Sequence, residues 1–155
     1  MTPFAIAGIQ MPVSAETENV TAMGKRLNHL MHRFPWVQMV LFSELAAFGP
    51  APKHAQPLPG SAEAAFCEMA ARHHVWLIPG TLFEQRADGI YNTAPVIAPT
   101  GEVIARYRKM FPFQPYEIGV KPGSEFVVFD VPHVGRIAIL TEPGGAGVGW
   151  MTPTK

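Results

Sequence analysis

Two short runs, FAIAGIQM (residues 4–11) and VQMVLF (37–42), are almost wholly apolar and show no alternation with polar positions. Strands covered on both faces read this way, so both are expected as central strands of a sheet. Between them Val20, Met23, Leu27, Leu30, Met31 and Phe34 recur at steps of three and four. That spacing predicts one buried stripe along a helix, which Pro35 stops. The first unit is therefore strand, helix, strand. A proline-rich loop over residues 48–60 follows, and Ser61 is placed to cap a second helix whose Ala62, Ala65, Phe66, Met69 and Ala70 share a face.

The pattern then changes to consecutive strands. VWLIPGTLFE (75–84), IYNTAPVIA (90–98) and EVIARYRKM (102–110) are separated by the turn signals Asp88-Gly89 and Pro99-Thr100-Gly101. Such short links predict an antiparallel meander. EFVVFDV (125–131) and GRIAIL (135–140) continue in the same style. After Leu140 the glycine-rich segment TEPGGAGVGWMTPTK (141–155) carries neither a helical nor a strand period. The chain reads as α/β, with seven strands and two helices and an abrupt change of character at residue 140.

Composition narrows the function classes. At 155 residues the chain fits one domain, and 48% apolar against 15% charged residues excludes global disorder. Twelve basic residues balance twelve acidic ones, without the positive excess that neutralises nucleic acid phosphates, so no nucleic acid partner is expected. The amino terminus lacks the basic lead of a signal peptide. No apolar run approaches the roughly 20 residues that cross a bilayer, so no membrane partner is expected either. Cys67 is the single cysteine, which excludes an intrachain disulfide and points to a reducing, cytoplasmic home.

Three charged residues invite chemistry. Glu44, in LFSELAAFGP, directly follows an apolar strand, where open α/β folds place their sites and where desolvation favours proton uptake. It reads either as a general base or as a structural carboxylate at a strand end. In EVIARYRKM, alternation puts Lys109 on the same face as Val103, Ala105 and Tyr107. A lysine there needs a carboxylate or an oxyanion as partner, unless the strand is an edge and Lys109 stands in water. Glu117, in a loop rich in proline and glycine, carries no signal by itself. Cys67, among Ala64, Ala70 and Ala71 in the second helix, reads as a small buried hydrophobe without a catalytic role. No metal site is expected: His73 and His74 are adjacent and point about 100 degrees apart on a helix. The glycines of GGAGVG are wrongly spaced for a dinucleotide loop.

The blocks FAIAGIQMP, LFSELAAFGP, YNTAPVIAPTGEVIARYRKMFPF and PYEIGVKPGSEFVVFDVPHVGRIAIL together resemble the nitrilase, or carbon-nitrogen hydrolase, superfamily, from about residue 4 to about residue 140. The resemblance implies a four-layer αββα sandwich, of which residues 1–140 would be the amino-terminal portion and 141–155 a divergent tail. It also implies hydrolysis of nonpeptide C–N bonds in small amides or nitriles, amides being favoured, with no cofactor. Glu44 looks like the family's general base, Lys109 like the cation beside the tetrahedral intermediate, and Glu117 like the supporting acidic residue. The family's nucleophilic cysteine would fall near Glu142, where this chain reads Thr141-Glu142-Pro143-Gly144, so no nucleophile is assigned. The expectation is a truncated hydrolase, inactive as written, of the kind a frameshift or an early stop in a normal gene would produce. A noncatalytic binding module and one half of a split hydrolase are the alternatives. Uncovered sheet edges would favour homo-oligomers or aggregation.

Overall fold

The computed structural model describes residues 3–113, 116–141 and 147–152. In chain order the described elements are β1 (Ile6–Ile9), α1 (Val20–Arg33), β2 (Met39–Phe42), α2 (Ser61–His73), β3 (Trp76–Ile78), β4 (Leu82–Arg86), β5 (Gly89–Ile97), β6 (Val103–Arg108), β7 (Val120–Lys121), β8 (Val127–Val131), β9 (Gly135–Thr141) and β10 (Gly147–Thr152). Strands β1, β2 and β3 pair in parallel, while β5 runs antiparallel to β3, β4 and β6 and parallel to β7. These seven make one sheet, and β8, β9 and β10 make a second, antiparallel one.

The large sheet is covered on both faces, which is why its central strands show no polar alternation. In β2, Val40 and Phe42 point into one core with Met23 and Leu27 of α1 and Phe66 of α2. Met39 and Leu41 point into the other, with Phe129, Val131 and Ile137 of the small sheet. Trp76 packs against Phe129 across this second core, ring centroids 5.6 Å apart and planes tilted by 31°. The result is helices, sheet, sheet, three layers of the αββα sandwich. Among the described residues no helix covers the outer face of the small sheet, where Val128 is exposed.

Several elements differ from the sequence pattern. β1 is an edge strand, paired only with β2 among the described strands, with Ile6 exposed and Gly8 contributing no side chain. An apolar run does not distinguish an edge from a centre when one residue is glycine. Ser61 is the first helical residue of α2, Gly60 is the cap, and no side chain bonds there. The run 75–84 breaks into β3 and β4 at Pro79-Gly80, where Gly80 takes φ +76°. The strict alternation over 103–109 fails too: a bulge pairs Ile97 with Val103 but Val96 with Ala105, so Val103 packs on the helical side and Ala105 between the sheets. Finally, the tail holds β10, in register with β9 from Gly147 opposite Thr141 to Thr152 opposite Arg136. Ladder hydrogen bonds come from the backbone, so a glycine-rich segment beside an open strand edge pairs without any side-chain pattern.

Candidate active site

Glu44 begins the turn that leaves β2. That turn is pinned from three directions. The Leu45 N–H donates to Thr81 Oγ1 (3.0 Å), the Asn19 N–H at the start of α1 donates to the Ala47 carbonyl (2.8 Å), and Gly80 lies directly against the Ser43 backbone. The break at Pro79-Gly80, within a run expected as one strand, thus brings Gly80 and Thr81 against the turn that carries Glu44. Lys109 lies immediately after β6; its N–H donates to the Asn92 carbonyl (2.8 Å) and its carbonyl accepts from Gly123 (2.9 Å). Glu117 sits in the turn that follows, its own N–H bonded to the Phe113 carbonyl (3.0 Å).

The three charged groups meet. Lys109 Nζ donates to Glu44 Oε1 at 2.8 Å and to Glu117 Oε2 at 2.7 Å. Lys109 and Glu117 are buried, whereas the Glu44 side chain is 39% exposed. Glu44 is thus partly desolvated, and the fully buried carboxylate is the one that carried no sequence signal. The Glu117 carboxylate accepts from Lys109 Nζ, from the Phe113 N–H and, at Oε1, from Asn92 Nδ2 at 2.6 Å.

The electrostatics follow from that inventory. Burial alone would push the Glu117 carboxyl up, but the ammonium of Lys109, the Phe113 N–H and the Asn92 amide outweigh it and hold the carboxyl below its ordinary range. Burial would likewise drive the Lys109 ammonium down, yet bonds to Glu117 and Glu44 raise it above the ordinary lysine value. Both groups are therefore charged at neutral pH. The exposed Glu44 is the member of the cluster in reach of an incoming group.

Sequence reasoning missed Asn92, which is completely buried and bridges Glu44 and Glu117. A lone amide inside the apolar run IYNTAPVIA was the available signal. It also missed two ion pairs flanking the site. Arg106 grips buried Glu63 of α2 through two bonds of 2.8 and 2.7 Å, and Arg108 grips buried Glu84 through two of 2.7 and 2.9 Å. Thr93 adds a third donor to Glu84, and burial, which would raise that carboxyl, is outweighed so that it lies below its ordinary range. Arg108 is partly exposed, so Arg108→Met is expected to cost about 2 kcal/mol in a urea melt, water replacing part of the lost pairing. A loss under half of that would show that Thr93 and solvent suffice for Glu84.

Cys67 lies on α2, partly buried against the helical core, and burial pushes its thiol above the ordinary range. The charges that act on it are those of Glu63 and Arg106. Thr141 ends β9, and Glu142, where the nucleophile is expected, lies outside the described residues. Among the described residues no group of three or more His, Cys, Asp and Glu is arranged to hold a metal ion, and no helix is long and apolar enough to cross a membrane.

Residues 5–148 match the carbon-nitrogen hydrolase family. The human omega-amidase NIT2 is 28% identical over 145 residues, covering 86% of this chain and 52% of that protein. A formamidase from Helicobacter acinonychis is 26% identical over 151 residues, covering 88% of this chain and 45% of its own length. The chain thus spans about half the length of the curated relatives it matches. In fold it is similar to a mutant amidase from Nesterenkonia sp. AN1 solved in complex with butyramide, with TM-score 0.74 and 20% identity, covering 89% of this chain and 55% of that one.

Proposed function

Because this chain belongs to the carbon-nitrogen hydrolase family, we propose that it carries the base and cation portion of a centre that hydrolyses small amides, and that on its own it is inactive. The observation that carries this reading is the convergence of Glu44 and Glu117 on Lys109 Nζ, at 2.8 and 2.7 Å. Glu44 is the general base, Lys109 the fixed positive charge, and Glu117 the anionic anchor that keeps Lys109 charged and in place. In such a centre the carboxylate takes a thiol proton, the thiolate attacks the amide carbon, and the ammonium stabilises the developing oxyanion. The carboxyl group then passes that proton to the departing ammonia or amine and, ionised again, takes a proton from the water that attacks the thioester, releasing the acid and returning the thiol.

The thiol is the missing part. Residues 1–140 form the partial hydrolase domain in this reading, and Thr141-Glu142-Pro143-Gly144 stands where the cysteine segment would be. A threonine hydroxyl is far less acidic than a thiol and much weaker as a nucleophile at neutral pH. Amides are preferred to nitriles as substrates because the relatives are an omega-amidase, a formamidase and an amidase bound to butyramide. The compartment is cytoplasmic, in keeping with the single cysteine.

Incubated with formamide, butyramide or an activated ester, the isolated chain is expected to release no product and to gain no acyl mass by intact mass spectrometry. A thioester on this polypeptide, Cys67 included, would overturn the assignment of inactivity. In a chimera joining residues 1–140 to the cysteine-bearing remainder of an omega-amidase, Glu44→Gln is expected to slow turnover by about 100-fold or more. Near-normal turnover in that variant would remove Glu44 from its role. A second reading has one observation in its favour: the cluster is assembled without any cysteine, so a thiol supplied by another polypeptide would find its base and cation in place. Hydrolysis only on adding that polypeptide would mark a split enzyme.

A further inference from the structure

The two oxygens of Glu44 are not equivalent. Oε1 accepts from both Lys109 Nζ (2.8 Å) and Asn92 Nδ2 (2.9 Å), while among the described residues Oε2 accepts no hydrogen bond. The amide of Asn92 has only one possible orientation, because both of its neighbours are carboxylates and accept hydrogen bonds without donating any. Its nitrogen must face Glu44 and Glu117, and its Oδ1 is consequently turned away, buried and without a hydrogen-bond partner. An apolar residue would avoid that unsatisfied acceptor in the middle of β5. The amide therefore serves through its donor side.

Its placement is also specific. The Asn92 backbone carbonyl receives the Lys109 N–H, so one residue sets the backbone of the cation and the side chains of both acids. We propose that Asn92 is a positioning residue that fixes the Glu44 carboxylate, holding Oε1 in two hydrogen bonds so that Oε2 is the oxygen left to take up a proton. This rests on the reading of Glu44 as the general base and adds which of its oxygens acts and what selects it. Lys109 alone would not achieve the same: a single ammonium contact permits rotation of an exposed carboxylate about it, whereas a second donor from a rigid strand removes that freedom.

The test uses the full chain, isotopically labelled and observed by NMR, with Glu44 and Glu117 signals assigned through Glu44→Gln and Glu117→Gln. In the unmodified protein the two Cγ protons of Glu44 are expected at distinct shifts, with couplings of a single rotamer. In Asn92→Leu, which keeps the branched skeleton, they are expected to converge to averaged values, while the Glu117 signals shift with the loss of the Asn92 bond but keep the couplings of a single rotamer held by Lys109 and the Phe113 N–H. A folded Asn92→Leu with unchanged Glu44 couplings overturns the proposal, since Asn92 would then only fill space. Should Asn92→Leu not fold, the Asn92 amide protons decide. Glu44→Ala, which removes the acceptor, should speed solvent exchange of one of them about tenfold and leave the other, bonded to Glu117, protected. No change in either overturns the proposal as well. The base role itself is read separately from turnover of the Glu44→Gln chimera, so the two failures are distinguishable.

Discussion

Replacing Lys109 by methionine is expected to lower the unfolding free energy by about 4 kcal/mol at neutral pH, because it leaves buried Glu117 as an uncompensated charge. Methionine matches the length of the lysine stem, so packing loss is small and the electrostatic cost dominates. Glu44 aggravates it, since both carboxylates now bond to the same Nζ and would face each other without it. The deficit should shrink on acidification. In the variant, Glu117 loses the ammonium that holds its carboxyl down and takes up a proton at higher pH than in the unmodified protein.

The unmodified protein has the opposite dependence. The depressed Glu117 carboxyl contributes stability above its unfolded value of about 4.3 and loses it as pH falls through the folded value. The raised Lys109 ammonium contributes stability below about 10.4 and loses it as pH rises through its folded value. Urea melts of both proteins, carried from below about pH 4 to above about pH 10.4, read the two shoulders directly. A deficit below about 1 kcal/mol at neutrality, or one that grows towards acid, would show that the cluster is solvated rather than buried.

The second large effect is expected from a single added methyl group. A Cβ on Gly80 would lie 1.9 Å from the Ser43 carbonyl oxygen and 2.9 Å from its carbon, both backbone atoms that cannot rotate aside. Gly80 also has φ +76°, where side chains are strained. Gly80→Ala should therefore cost about 3 kcal/mol or more, roughly a 10 °C fall in Tm for a chain of this size. Gly119 provides the control. It has φ +81° but nothing within 4 Å of its added Cβ, so Gly119→Ala should carry the conformational cost alone, about 1 kcal/mol. Equal melting of the two variants would mean that the close approach to Ser43 relaxes freely. If Gly80→Ala folds, the Glu44 to Lys109 contact should be lost while Lys109 keeps Glu117.

These two sites illustrate what the sequence reveals and what it does not. The stripe through Met23, Leu27 and Met31 was legible because helical burial has a period, and all three are buried. The doubly covered strand β2 was legible as an unbroken apolar run. The family resemblance and the α/β class were legible from motif blocks, and the comparisons bear both out. Gly80 was not, since its importance lies in the proximity of Ser43, 37 positions earlier in the chain. Glu117 was silent by itself because burial comes from neighbours, and residue type in a loop says nothing of them. Asn92 was overlooked because an amide in a strand gains meaning only when its two acceptors are known. The strand β10 left no side-chain pattern to read.

The spacing of the cluster along the chain has a kinetic consequence. Lys109 and Glu117 are 8 residues apart, Asn92 and Glu117 are 25, and Glu44 and Lys109 are 65. Closing a longer loop costs more chain entropy and comes later on average. The Lys109 to Glu117 clasp is thus expected to form early, within the β5 to β7 hairpin region, and the Glu44 arm to dock last, when the parallel strands join. An amide hydrogen-exchange experiment during refolding should see protection at Lys109 and Gly123 precede protection at Leu45. Attachment of the Glu44 carboxylate to its ammonium would then be the final event of folding, acquired only after the molecule is otherwise complete.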